Sequence, residues 1–229
     1  MESTPHADYV AQRGFTLVEM MVVLAIIVIV TVIALLGQSS FNRSLVLTET
    51  AYTIAFSIRQ AQFLGISGRT TAGTSDAGYG IYFENGQTGN YRLFADMSPT
   101  RTNNIQNSGV CPGRSVATGQ EAKPGDCIRN NQNEDVTTYT LNNGFKIAKF
   151  CGINSNGTEV CSGDITSLNI SYLRPNTQSI IVGTRGGLRY LYSGARIHVT
   201  SPDGVAERCI TVSKAGHVAV HMKGETSCP

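Results

Sequence analysis

The hydrophobic pattern divides the chain into three regimes. From Phe15 to Leu36 there are 22 positions, and only Thr16, Glu19 and Thr31 are polar. At about 1.5 Å per residue such a helix is about 33 Å long, enough for a bilayer core. From about Asn42 to Ile66 the period becomes that of a half-buried helix, with Leu47, Ala51, Ile54, Ile58 and Ala61 on one narrow face. Leu45, Tyr52, Phe56 and Phe63 form a second stripe on nearly the opposite side, beside Glu49 and Arg59. That stripe has two readings: a loop or far sheet edge covers it, or it meets another subunit's helix. Gly65 and Gly68 are expected to end the helix.

Beyond them the pattern alternates with a period of two. Tyr79–Glu84 and Tyr91–Met97 flank Asn85-Gly86-Gln87-Thr88-Gly89, a hairpin signal. Further strands are expected at Val136–Leu141, Phe145–Phe150, Leu168–Leu173 and Ser179–Val182. A hairpin, Arg196–Thr200 and Glu207–Val212 about Ser201-Pro202-Asp203-Gly204, and a last strand at His217–Met222 complete the series. One long N-terminal helix followed by an antiparallel sheet is an α+β arrangement. Residues 98–135 are rich in Asn, Gly, Pro and Thr and lack periodicity. We divide the chain into 1–14, a leader; 15–37, a membrane helix; 38–68, an amphipathic helix continuing into the head; and 69–229, a β-rich head with the loop 98–135.

Composition adds little. The formal charge is +2 with interspersed signs, which by itself is no polyanion signature. Six cysteines, Cys111, Cys127, Cys151, Cys161, Cys209 and Cys228, all follow the apolar run. Their even count and wide spacing read as disulfides on the oxidising side of a membrane. The close-spaced ligand pairs that zinc favours are missing, so no metal is assigned.

Glu19 is the position an ordinary anchor leaves unexplained, since a carboxylate within a span normally has a partner. A cut after Gly14 would create an α-amine on Phe15, four residues from Glu19. Gly14-Phe15-Thr16-Leu17-Val18-Glu19 followed by the apolar run resembles the class III signal of type IV prepilins and type II secretion pseudopilins. That resemblance implies cleavage between Gly14 and Phe15 by a prepilin peptidase at the cytoplasmic face, and N-methylation of Phe15. It also implies an assembly ion pair between Glu19 and a neighbouring subunit's terminal amine. The chain departs from the pattern twice. Before the cut Arg13 stands against Glu2 and Asp8, where leaders are usually basic, and the span lacks the proline of many major pilins.

The segments Ile54–Gln62, Gly78–Phe83 and Arg208–Val218 are similar to the general secretion pathway protein H / FimT-type minor pilins. The implied protein is a non-catalytic structural subunit, a minor pilin or pseudopilin without a cofactor. It is held in the cytoplasmic membrane with its head outside. The implied partners are the prepilin peptidase, other pilins, an inner-membrane assembly platform and membrane lipid. A filament-tip binding protein, a DNA receptor or adhesin, is the alternative. Six cysteines allow about 15 pairings; proximity along the chain favours Cys111–Cys127, Cys151–Cys161 and Cys209–Cys228, the last like the C-terminal loop of many pilins.

Other chemistry is sparse. No P-loop, GxSxG or HExxH is present. His217 and His221 share a strand face and read as solvated. Asn169-Ile170-Ser171 fits a glycosylation acceptor within a β run. Arg185, Arg189, Tyr190 and Arg196 form a basic, aromatic segment that suits nucleic acid, or else are solvated charges near a sheet edge.

Overall fold

The computed structural model describes residues 14–68, 77–97, 126–175, 177–225 and 228, and side chains among these except at 36–41. Leader residues 1–13, Cys111 and the loop residues 98–125 lie outside the described residues. The chain forms two compact units, Met1–Asn42 and Arg43–Pro229.

A long, continuous helix, α1, runs Leu17–Ser67. Its segment Leu17–Leu35 has a mean hydropathy of 3.0, with none of it buried. By length and composition it is able to cross a membrane. In the second unit, the predicted face Leu47, Ala51, Ile54, Ile58 and Ala61 is fully buried. The helix does not stop at Gly65. It continues to Ser67, and Gly68, at φ +65°, takes the left-handed position that ends it. Gly65 serves packing instead: a Cβ there would stand 2.4 Å from the Tyr172 carbonyl oxygen.

Among the described residues the head contains eleven strands: β1 Gly78–Glu84, β2 Asn90–Asp96, β3 Asp135–Thr140, β4 Lys146–Ile153, β5 Glu159–Cys161, β6 Ser167–Tyr172, β7 Ser179–Arg185, β8 Leu188–Tyr192, β9 Gly194–Thr200, β10 Glu207–Ser213 and β11 Val218–Met222. Every predicted strand is present. The unpredicted ones are β5, which is three residues long, and β8, which lies inside the basic segment. The single sheet expected is instead two antiparallel sheets, ordered β3-β2-β1-β6-β7-β8 and β11-β10-β9-β4-β5. One core joins α1 to both, through Ile81, Phe83, Leu168 and Ile170 of the first and Ile147, Phe150, Ile197 and Ile210 of the second.

Polar contacts fix the helix on these sheets. Ser57 Oγ and Tyr91 OH lie 3.0 Å apart, and Tyr139 OH donates to Gln60 Oε1. From the second sheet, Arg208 donates to Thr48 and Ser44, while Arg59 donates to the Val218 carbonyl. Arg43 meets Asp203, at the tip of the β9–β10 hairpin, at 2.8 Å.

Tyr192 is a key of the head. Its ring fills the space that side chains on Gly152 of β4 and Gly183 of β7 would occupy, with ideal Cβ positions 2.4 and 2.7 Å from ring atoms. It therefore wedges between the two sheets. Tyr192→Ala removes a 7% exposed aromatic from a site lined by glycines that cannot refill it. The expected cost is about 3–5 kcal/mol, a fall of roughly 10 °C in melting temperature, read by thermal denaturation followed by circular dichroism.

Candidate functional site: the processing junction and the exposed faces of the head

At the N-terminal junction, Thr16 precedes the first residue of α1 and its Oγ1 accepts the Glu19 N–H at 3.2 Å. This is half of a capping box, with Thr at the cap and Glu at the third helical position. The first turn's carboxylate also lies at the positive end of the helix dipole. Glu19 thus has a local reason for its position that the sequence reading missed, although the Thr-x-x-Glu spacing signals it. Gly14 is exposed, and nothing lies within 4 Å of a Cβ built on it. The junction Gly14–Phe15 is accordingly accessible, with Phe15 78% exposed.

In the head, the second stripe of α1 is uncovered. Leu45, Tyr52, Phe56 and Phe63 are 52%, 59%, 69% and 71% exposed. Among the described residues no loop or sheet edge buries them, so the covered-stripe expectation fails. The helix is buried on its Leu47, Ala51, Ile54, Ile58 and Ala61 face, and the four side chains of the second stripe remain in solvent.

The basic segment does not form a free cationic surface. Arg189 Nη1 pairs with the buried Asp126 at 3.1 Å, and Arg196 pairs with Glu159. Tyr190 is half-buried against the core, and Arg185 alone of the four is exposed. Arg189 and Arg196 lie on different sheets, in β8 and β9. Tertiary pairing thus neutralises two of the charges that look adjacent along the chain. The glycosylation reading of Asn169 is also overturned: its side chain is buried in β6, where Oδ1 accepts the Arg129 N–H at 2.9 Å.

The base of the segment beyond β2 is clamped by a buried acidic group. Asp96 accepts hydrogen bonds from the backbone N–H groups of Asp126 and Cys127, at 2.9 and 2.6 Å. Burial, followed by the nearby Asp126 charge, raises Asp96 well above the ordinary carboxylate range. Arg129 holds Asp135 through two hydrogen bonds and stacks over the Tyr82 ring at 4.9 Å.

The cysteines divide into three situations. Cys151 and Cys161, directly opposed on β4 and β5, form a disulfide. Closing so short a loop contributes about 2–3 kcal/mol. Cys127 is disulfide-bonded, and its expected partner Cys111 lies outside the described residues. The expected Cys209–Cys228 bridge is not made: the two are buried thiols in hydrogen-bond contact. A ring nitrogen of His198 joins them, with the three ligand atoms within 4.8 Å of one another. Sequence reasoning weighed His217 and His221 and passed over His198. His217 is exposed, and His221 is held by Thr211 and Glu225. The overlooked signal was a histidine between Ile197 and Val199, in cross-strand register with Cys209.

A long N-terminal helix packed on antiparallel sheets, preceded by an exposed glycine–phenylalanine junction, defines a type IV pilin-like architecture. The family description "Prokaryotic N-terminal methylation motif" matches residues 10–35. That match implies prepilin processing and assembly into a pilus or pseudopilus, with anchoring in the inner membrane beforehand. No curated protein and no solved structure gives a significant match.

Proposed function

We propose that this chain is a minor pilin or pseudopilin of the general secretion pathway protein H / FimT type, a structural subunit with no catalytic role. The observation that carries this reading is the Gly14–Phe15 junction placed one turn before Glu19 at the start of an apolar, membrane-length helix. The prepilin peptidase cuts after Gly14 and methylates Phe15. The processed helix waits in lipid until the assembly platform transfers it to neighbouring pilins, where apolar helix packing replaces lipid. Two features support a subunit over a tip receptor: the uncovered aromatic stripe on α1, and the internal pairing of Arg189 and Arg196.

The reading is tested by mass spectrometry of the protein extracted from its host membranes. The expected N-terminal peptide begins at N-methylated Phe15. A protein that still begins at Met1 would remove the basis of the proposal.

A further inference from the structure

We propose that residues 126–134 form a strap latched over the outer face of the first sheet by a proton held between Asp96 and Asp126, and that the strap loosens as pH rises. Asp96 ends β2 and Asp126 opens the strap, and both are buried. The strap takes both oxygens of Asp96: the Asp126 N–H donates at 2.9 Å and the Cys127 N–H at 2.6 Å. Along β6, Leu168, Ile170 and Tyr172 belong to the core, so Asn169 and Ser171 point to the opposite face. They continue the attachment there. Asn169 Oδ1 accepts the Arg129 N–H at 2.9 Å, and Ser171 Oγ donates to the Cys127 carbonyl at 2.7 Å. Beneath the strap, Ile128 packs with Leu173, Val182 and Ile180 in an apolar cluster of its own.

Two features show that the closed strap is held against opposing forces. Cys127, at φ +65°, lies in the left-handed region that a residue with a Cβ disfavours. Its N–H and carbonyl bonds to Asp96 and Ser171 keep it there. The second feature is charge. Two buried carboxyls at one base repel each other when both ionise. Arg189 of β8 meets Asp126 at 3.1 Å and answers its charge, and Asn130 Nδ2 also donates to Asp126. Among the described residues Asp96 is met by backbone N–H groups alone. Glu134, buried in the strap with Oε2 accepting the Asn130 N–H, adds a like charge. The other cations on this face are turned elsewhere: Arg129 and Arg92 to Asp135, and Arg92 also to Glu84. From β1 comes Tyr82, under Arg129, while β6 brings the neutral Asn169 and Ser171.

The sign of the effect follows from this arrangement. Burial, and then the Asp126 charge, raises Asp96 well above the ordinary carboxylate range, and the two N–H donors only partly oppose them. Burial raises Asp126 as well, against its Asn130 and Arg189 contacts. The closed strap therefore keeps a proton that an opened, hydrated Asp96 would release. The stability this proton gives is complete below the ordinary carboxylate range and is lost as pH rises toward the raised value. Within that window each retained proton makes opening easier by up to about tenfold per pH unit. Loosening uncovers the apolar cluster of Leu173, Ile180 and Val182 on the outer face of the sheet.

The test is amide hydrogen exchange, read by mass spectrometry on the full chain in detergent between about pH 5 and pH 9, with rates corrected for their intrinsic pH dependence. Peptides covering 126–134 are expected to lose protection as pH rises, by up to about tenfold per unit, while peptides covering β6 stay protected. Asp96→Asn should flatten that slope, because Asp126 then keeps Arg189 and loses its acidic neighbour. The wild-type slope stands even if the variant fails to fold. Strap protection that is flat or grows with pH would overturn the latch. A parallel loss in β6 would also overturn it, since the whole head would then be opening, as would an unchanged slope in folded Asp96→Asn.

Discussion

Glu19→Gln is expected to leave the chain processed and membrane-bound but absent from filaments. The structure gives Glu19 two tasks, and this substitution separates them. In the helix cap, the third helical position accepts glutamate or glutamine alike, so the contact with Thr16 survives. In the proposed assembly contact, the carboxylate neutralises the methylated amine of a neighbouring Phe15 within an apolar bundle. Glutamine carries no charge and leaves that amine buried and uncompensated. Removing one member of a buried ion pair costs about 3–5 kcal/mol, roughly two to four decades in the docking equilibrium. The measurement is the amount of subunit in sheared filaments or pseudopili, set against the amount of correctly trimmed protein in the membrane. Wild-type incorporation of the glutamine variant would show that capping accounts for Glu19 and that the ion pair is dispensable.

Phe56→Asp should also block assembly, for a different physical reason. The ring is 69% exposed in the chain, so its loss costs the head little; exposed substitutions away from special features fall within about ±0.5 kcal/mol. Thr53 and Ser57, which flank the stripe, direct their hydroxyls to carbonyls within the helix, and neither contact involves Phe56. If the stripe Leu45, Tyr52, Phe56 and Phe63 packs against a neighbouring helix, an aspartate in its middle puts an unpaired carboxylate in an apolar contact. That costs several kcal/mol, enough to remove the subunit from the filament. The head's melting temperature should stay within about 2 °C of wild type. Unchanged assembly would assign the stripe no role in subunit packing, and a collapsed melting temperature would show that it is structural within the head.

The local pattern was enough to locate the long helix, its buried face at Leu47, Ala51, Ile54, Ile58 and Ala61, and the longer strands. Periodicity is set by which side chains must leave water, and that information is carried residue by residue. The processing junction was legible for a related reason: Gly14, Phe15 and Glu19 act through their order along one helix, and order is what a sequence records. Only the tertiary structure decided the division into two sheets, because a strand's alternation is the same whichever neighbour it pairs with. It alone showed that Arg189 and Arg196, seven positions apart, sit on different sheets against Asp126 and Glu159. It alone brought His198 to Cys209 and Cys228. Pairing, burial and ligand geometry depend on distances between segments remote in the chain, and folding sets those distances while spacing along the chain does not.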